Sequence, residues 1–296
     1  MNERLETTGK LLLNEKMAKY TSWRVGGNAE KMYFPHDKDD LINFIRKLPQ
    51  DSAIFWLGLG SNLLVRDGGI SGVVINTRGR LKKMYLLDEG RIYVESGVPC
   101  ARVARFCVDN GLMGAEFLAG IPGTMGGALK MNAGAFGSET WEIVARTEML
   151  NRDGVTSWRK ADEFEVSYRT VKNLKDSWFL ATELQLNPGD TSNSLENIKG
   201  FMENRSATQP INLPSCGSVF KNPEGDYAAR LIEKTGLKGY CIGGACVSEK
   251  HANFIVNIEH ATAANIEALI DYVQCQVELE QGIRLQTEVC KVGVSL

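Results

Sequence analysis

Three short segments carry side chains suited to proton transfer and anion binding. In Ser215-Cys216-Gly217-Ser218-Val219-Phe220-Lys221-Asn222-Pro223, a hydroxyl, an ammonium and an amide fall within five residues. If that stretch is extended, Ser218 and Phe220 face one way and Val219 and Lys221 the other. In Phe164-Glu165-Val166-Ser167-Tyr168-Arg169 an arginine follows an aromatic residue, and Gln286-Thr287-Glu288 brings a carboxylate near the end of the last strand-like stretch. Spacing alone does not join the three. A lone serine or lysine in a loop is usually solvated, and a glutamate on the polar face of a strand is usually surface. Histidine adds little: His36, His251 and His260 are the only three. No serine sits in a G-x-S-x-G elbow, so a Ser/His/Asp triad is not indicated, and no metal-ligand spacing occurs.

Two glycine clusters suggest a bound cofactor. The first, Gly58-Leu59-Gly60-Ser61-Asn62, follows a strand-like run. Glycines let backbone amides approach a ligand, successive N–H groups form an anion nest, and Ser61 and Asn62 add side-chain donors. The second runs Gly120-Ile121-Pro122-Gly123-Thr124-Met125-Gly126-Gly127-Ala128 and continues in Asn132-Ala133-Gly134-Ala135. It could lay bare backbone along a diphosphate or under a flat ring. Neither is a Rossmann fingerprint, which needs GxGxxG before a helix, nor a P-loop, which needs GK[ST]. Each alone could be an ordinary turn; together they favour a phosphate-bearing cofactor.

The elements that must position these residues can be read from periodicity. Asp37 to Leu48 is expected to be a helix with Leu41, Ile45 and Leu48 on one face, and Ala53 to Leu57 a strand leading into the first cluster. Gly72 to Asn76 and Arg91 to Glu95 are further strands, and Arg102 to Asn110 a helix closed by Gly111. Leu195 to Arg205 is a helix, after which Gln209-Pro210-Ile211-Asn212-Leu213-Pro214 reads as a linker and domain boundary. Beyond it come a strand at Ser218 to Lys221, a helix at Asp226 to Thr235 with an aspartate N-cap and Gly236 at its end, and a strand at Phe254 to Asn257. The clearest helix is Ala263 to Gln281, where Ile266, Leu269, Ile270, Val273 and Val277 recur at helical spacing. Arg284 to Val289 then alternates like a strand. The mixed order predicts an α+β fold.

Composition sets limits on the partners. The 296 residues are 43% hydrophobic and 24% charged, with a net charge of −2, enough apolar material for a folded core of more than one domain. No charge excess draws nucleic acid or an anionic membrane. No run approaches the ~20 apolar residues of a membrane span, and Leu11 to Leu13 is too short for a signal peptide. The seven cysteines are odd in number and show no CxxC pair, so reduced thiols are expected rather than a disulfide framework or zinc site.

Beyond these physical signals, an ordered set of motifs resembles the UDP-N-acetylenolpyruvoylglucosamine reductase family. The set comprises Tyr20-Thr21-Ser22-Trp23-Arg24-Val25-Gly26-Gly27, Gly58 to Val65, Gly120 to Gly137, Tyr168-Arg169, Gln209-Pro210, Pro214 to Pro223, Ile242-Gly243-Gly244-Ala245 and His251-Ala252-Asn253-Phe254. The resemblance runs from about residue 18 to residue 293. It implies an FAD-binding unit of the vanillyl-alcohol-oxidase type in two subdomains, here 1–80 and 81–207, with a substrate-binding α+β domain at 208–296. The short stretch from Arg169 to Leu186 leaves no room for the long tyrosine-bearing loop of one class, so the second, shorter class is implied.

The implied reaction is reduction of UDP-N-acetylglucosamine enolpyruvate, a small-molecule substrate, to UDP-N-acetylmuramate in peptidoglycan precursor synthesis. Hydride passes from NADPH by way of non-covalent FAD to C3 of the enolpyruvyl group, and a proton is added at C2. By motif, Ser218 is the implied proton donor, Arg169 the holder of the substrate carboxylate and developing enolate charge, and Glu288 its stabilising neighbour. Tyr168, Lys221 and Asn222 are implied contacts to substrate or nicotinamide. Gly58, Gly60, Ser61, Asn62, Leu63, Gly120, Gly123, Thr124, Gly126, Gly127, Asn132, Ala133, Gly134 and Ala135 are implied contacts to FAD. No metal, nucleic acid or membrane span is implied; a bacterial cytoplasmic monomer or weak oligomer is.

Some residues depart from the pattern. Lys130 stands where an apolar residue is expected, either snorkelling or adding charge near the flavin. Cys216 replaces a small alanine, Cys290 lies two residues after Glu288, and Thr170-Val171 replaces a serine-containing continuation. Cys216 and Cys290 suggest sensitivity to thiol oxidants, the alternative being inert buried thiols. Two rivals remain at this point: another flavin oxidoreductase on the same scaffold, and a nucleotide-binding protein without activity. Gly58 to Val65 holds no histidine or cysteine for covalent flavin attachment, and the joint presence of Arg169, Ser218 and Glu288 speaks against lost activity.

Overall fold

The structure, a computed structural model, describes residues 7–88 and 90–296. In chain order the strands are β1 (Lys10–Lys16), β2 (Asn28–Phe34), β3 (Ile54–Leu57), β4 (Leu63–Val65), β5 (Ile70–Asn76), β6 (Met84–Leu86), β7 (Arg91–Glu95), β8 (Leu112–Met113), β9 (Gly134–Ala135) and β10 (Ser138–Glu139). They continue as β11 (Val144–Asn151), β12 (Thr156–Lys160), β13 (Val166–Ser167), β14 (Thr170–Val171), β15 (Ser177–Gln185), β16 (Asn187–Pro188), β17 (Cys241–Ile242), β18 (Ala245–Val247), β19 (Ile255–Asn257) and β20 (Cys290–Val292). The α-helices are α1 (Lys38–Lys47), α2 (Cys100–Asp109), α3 (Met125–Met131), α4 (Ser194–Thr208), α5 (Ala228–Lys234) and α6 (Ala263–Gln281). The fold is α+β, as the sequence predicts.

The chain divides into two compact units. The first holds the described residues up to Leu12, Met32–Leu59 and Gly72–Glu203; the second holds Leu13–Lys31, Gly60–Ser71 and Asn204–Leu296. The first is built on a five-stranded sheet in the order β12-β11-β15-β7-β6. Its central strand β15 is buried from Phe179 to Leu184 and serves both faces of the sheet, its alternation interrupted by a register shift between the Phe179 and Ala181 pairings with β11. Phe179 and Leu184 join Met149, Val103, Cys107 and Leu129 in one core. Leu180 joins Leu150, Leu41, Phe44 and Ile45 in another. Helix α1 starts where Asp37 accepts a hydrogen bond from the N–H of Asp40, which satisfies a donor that the first helical turn leaves open.

The second unit is organised by α6. Ile266, Leu269, Ile270, Val273 and Val277 are all buried, each contributing ~1.5–3 kcal/mol relative to exposure. The helix is opened by a Thr262/Asn265 capping box and closed by Gly282 in the left-handed conformation. The Asp67 carboxylate accepts from the N–H groups of Ala263 and Ala264, a favourable place for a negative charge. A three-stranded sheet, β17-β18-β19, packs with it. Trp23, fully buried, donates from Nε1 to Ile255 O at 2.7 Å. Strand β20 pairs in parallel with β4, Cys290 opposite Leu63.

The structure corrects four expectations. Ser218 to Lys221 and Arg284 to Val289 are not strands. They meet through one antiparallel bridge, Phe220 to Thr287, and regular pairing begins only at Cys290. Val219 and Phe220 are both buried, so the expected alternation fails there. Helix α5 has Tyr227, not Asp226, at its N-cap position. Asn222 Oδ1 takes the N–H of Ala228 instead, while Asp226 pairs with Arg230. Finally, Cys241 and Cys246 form a disulfide. The two-residue turn Gly243-Gly244 folds β17 onto β18 and sets the two cysteines directly opposite, a pairing that no CxxC spacing would reveal.

Candidate active site

In the first unit Gly58, from the first glycine cluster, approaches the second cluster. Gly58 lies at the end of β3, and a Cβ built on it would stand 2.6 Å from Thr124 Oγ1. Thr124 is the N-cap residue of α3 and is buried. The turn before α3 is threaded against Ser96–Cys100: Gly126 N donates to Ser96 O (2.8 Å), Met125 N to Val98 O (2.9 Å) and Cys100 N to Gly123 O (2.9 Å). A Cβ on Gly126 would come within 2.9 Å of Ser96 Cβ, so only bare backbone fits there. The buried Ser96 hydroxyl has no hydrogen-bond partner among the described residues. Gly120 packs on Phe136, whereas Gly127 is exposed. Bare backbone and an unsatisfied hydroxyl at one turn fit a cofactor with many acceptors, such as FAD. Lys130 is exposed on α3.

Residues Gly60 to Leu63 belong to the second unit. Gly60 has φ +65°, and a Cβ on it would lie 2.0 Å from Tyr20 O, so both its conformation and its space require glycine. Asn62 donates from Nδ2 to Glu288 O at 3.0 Å, and Cys290 N donates to Asn62 O at 3.1 Å. Leu63 is buried and Ser61 half-buried.

Arg169 occupies the tip of a two-residue hairpin between β13 and β14. Its φ is +53°, the left-handed region. A non-glycine residue held there costs on the order of 1–3 kcal/mol, and such strain collects at functional sites. The side chain is anchored in compensation. Its guanidinium donates to Asn132 O (3.3 Å) and Gly134 O (3.1 Å), pairs with Glu139 Oε1 (3.7 Å) and stacks over the exposed ring of Tyr168 (4.9 Å). Asn132, itself left-handed at φ +46°, donates to Glu139 Oε2 at 2.6 Å and accepts from Trp141 N through Oδ1. Thr140 Oγ1 donates to Ala133 O, and Gly134-Ala135 pairs with Ser138-Glu139. A basic hairpin tip is thus bolted to the second glycine cluster.

In the second unit Ser218 and Glu288 come together. Glu288 N donates to Val219 O and Lys221 N to Gln286 O, each at 2.8 Å. Ser218, Lys221 and Glu288 are half-buried and Asn222 is exposed. A hydroxyl, an ammonium and a carboxylate therefore project from two stretches clasped by the same bridge. Cys216 is buried, its Sγ directed at Leu63 O (3.4 Å), and burial pushes its thiol up to about 12. That agrees with the inert alternative at Cys216, because the thiolate is the nucleophilic form. Cys290 is exposed.

Two residues of these sites escaped sequence reasoning. Glu139 braces Asn132 and Arg169, and Asn253 hydrogen-bonds through its side chain to Phe220 N and O. No local spacing pattern signals these pairings, although Asn253 falls in a motif already singled out.

Comparison with known proteins agrees with this geometry. A family model described as FAD binding domain matches residues 29–158. The first unit with its glycine turns accordingly belongs to the class of FAD-binding α+β proteins. A model described as UDP-N-acetylenolpyruvoylglucosamine reductase, C-terminal domain, matches residues 209–292. UDP-N-acetylenolpyruvoylglucosamine reductase of Methylococcus capsulatus is 56% identical over 96% of this chain and 94% of its own. The protein of that name from Legionella pneumophila is 56% identical over 97% and 94%. The crystal structure of the reductase from Thermus caldophilus matches with a TM-score of 0.82 at 30% identity, covering 96% of this chain and 99% of that one. The chain belongs to the UDP-N-acetylenolpyruvoylglucosamine reductase family.

Proposed function

We propose that this protein is an NADPH-dependent FAD enzyme that reduces UDP-N-acetylglucosamine enolpyruvate to UDP-N-acetylmuramate in peptidoglycan precursor synthesis. The observation that most supports the reading is the clasp that joins the Ser218 stretch to the Glu288 stretch in a chain of this family. Gly58, Gly120, Gly123, Thr124, Gly126, Gly127 and Asn132 to Ala135 hold FAD, together with Gly60 to Leu63. Bound FAD supplies hydride transfer between NADPH and C3 of the enolpyruvyl double bond. Ser218 gives the proton that C2 requires and regains it from solvent. A serine hydroxyl is a weak acid, but the enolate it meets is a strong base, so the transfer runs downhill. The Arg169 guanidinium, permanently charged and forked, binds the substrate carboxylate and the developing enolate. Glu288 orients the same group, and Tyr168, Lys221 and Asn222 contact substrate or nicotinamide. Residues 1–80 and 81–207 act as the FAD-binding subdomains and 208–296 as the substrate domain. The enzyme works in the bacterial cytoplasm as a monomer or weak oligomer.

The test is an anaerobic two-step titration. Holoenzyme is reduced with NADPH, freed of excess nucleotide and mixed with the enolpyruvyl sugar nucleotide while flavin absorbance is followed. Bleaching followed by rapid recovery is expected. Bleaching without recovery would leave a flavoenzyme with another substrate, and absence of flavin would overturn the reading of both glycine clusters.

A further inference from the structure

We propose that Asn253 is a positioning residue that sets the aim of the Ser218 hydroxyl, an inference that rests on Ser218 being the proton donor. The motif His251-Ala252-Asn253-Phe254 takes no part in the chemistry above. Val219 to Lys221 is held on one side by the backbone of Gln286 to Glu288. On the other side no strand among the described residues pairs with Phe220, and Asn253 stands in for one. Its Oδ1 accepts from Phe220 N at 2.9 Å and its Nδ2 donates to Phe220 O at 2.8 Å. Its backbone O accepts from Val219 N at 2.9 Å. Asn253 is 3% exposed and Phe220 2%, so water does not reach these groups, and buried backbone donors and acceptors require partners.

The clamp sits on the two residues that directly follow Ser218. The residue before it, Gly217, has φ +71° and is the permissive side. The hydroxyl is therefore aimed from the clamped side. A carboxamide suits the task because it offers an acceptor and a donor side by side, like the peptide group it replaces. Asn253 is in turn fixed by its own turn: its N–H faces His251 Nδ1 at 3.3 Å, Phe254 N donates to His251 O at 3.0 Å, and Ser248 N donates to Phe254 O at 2.8 Å. Burial lowers the pKa of His251, which keeps that nitrogen available as an acceptor.

The test uses the holoenzymes of Asn253→Ala, Asn253→Asp and Ser218→Ala, with both half-reactions followed by stopped flow. In the Asn253 variants, flavin reduction by NADPH should stay near the parent's rate. Reoxidation by substrate should slow by about 10²-fold, as for a ~1 Å misplacement of a reacting group. Asn253→Asp adds a second readout. Ionised, the new carboxyl cannot donate to Phe220 O; protonated, it can. Reoxidation in that variant should therefore recover as pH falls, with an apparent pKa raised by burial. The ionisable groups around this point, His251 with the charges of Lys238 and Glu233 beside it and Lys221 and Glu288 on the clasped stretches, are present in the parent, whose profile is the control. Parental reoxidation in the Asn253 variants, equal loss in both half-reactions, or an Asn253→Asp profile parallel to the parent's would overturn the proposal while leaving Ser218 in place. Parental reoxidation in Ser218→Ala would instead remove the proton-donor reading, and the positioning role with it.

Discussion

Gly58→Ala tests whether the close approach of the two glycine clusters matters. The new Cβ would lie 2.6 Å from Thr124 Oγ1, on the order of 1 Å inside the separation at which non-bonded atoms attract. Thr124 is 2% exposed and β-branched, so turning its hydroxyl away drives it into neighbours. Overpacking of this kind costs ~1–3 kcal/mol. For a chain of this size each kcal/mol lowers Tm by about 2–4 °C, so a fall of roughly 2–12 °C is expected in the FAD-free protein. If the strain is relieved by parting β3 from the α3 turn, FAD binding should weaken by about 5–150-fold. Thr124→Ala removes the offending oxygen, and the nearest remaining Thr124 atom, Cβ, is 3.7 Å away, an ordinary contact. The double variant should therefore recover most of the lost stability, with a coupling energy of ~1–3 kcal/mol in the four-protein cycle. Differential scanning calorimetry and FAD titration of all four proteins supply the numbers. A Gly58→Ala protein that melts and binds FAD like its parent, or a double variant no better than the single, would refute the reasoning.

Three further outcomes are expected. Ser218→Ala should leave flavin reduction by NADPH nearly intact and slow reoxidation by substrate ~10²–10⁴-fold, the usual worth of general acid catalysis; equal damage to both half-reactions in stopped flow would argue against proton donation. Arg169→Lys cannot bond Asn132 O and Gly134 O with a fork, and reoxidation should fall about 10²-fold or more; a parental rate would remove Arg169 from the chemistry. Asp40 accepts hydrogen bonds from Tyr33 and from the N–H groups of His36, Thr8 and Gly9. Burial pushes its pKa up, but those bonds outweigh burial and the net shift is downward. The stability it adds is full above the unfolded aspartate's pKa of about 3.9 and is lost as pH falls through the lower folded value. Asp40→Asn should thus cost ~1–3 kcal/mol at neutral pH, with the gap to the parent closing in acid; a gap that is constant with pH in denaturant titrations would contradict this.

Local pattern was enough where an element's stability is local. The helix read at 263–281 is α6 with the same limits, because an apolar face, a threonine cap and a closing glycine all agree. Arg91 to Glu95 is likewise β7. The pattern failed where tertiary partners decide. Arg284 to Val289 alternates, yet Asn62, Val219 and Lys221 hold it in place of a neighbouring strand. The Cys241–Cys246 bond follows from a Gly-Gly hairpin turn, a signal present in the sequence that cysteine spacing alone passes over. For the candidate site, the glycine turns had a physical signature, whereas Arg169, Ser218 and Glu288 stood out only through resemblance. Nothing in the residue types tells that Arg169 is left-handed, or that Glu139 and Asn253 brace the groups beside them.

The parallel pairing of β20 with β4 has a consequence for synthesis. Asn62 and Glu288, which hydrogen-bond in the finished protein, are 226 residues apart, and Trp23 and Ile255 are 232 apart. At ~5–20 residues per second, roughly 10–50 s pass between the emergence of the early partner and the late one. During that interval Leu63, Leu64 and Val65, all buried at the end, are an apolar strand without its mate. The first unit draws its five-stranded sheet from residues 84–185 alone and can assemble meanwhile. The unit that carries Ser218 and Glu288 closes last, so a nascent chain cannot clasp these two stretches together until residue 288 has been made.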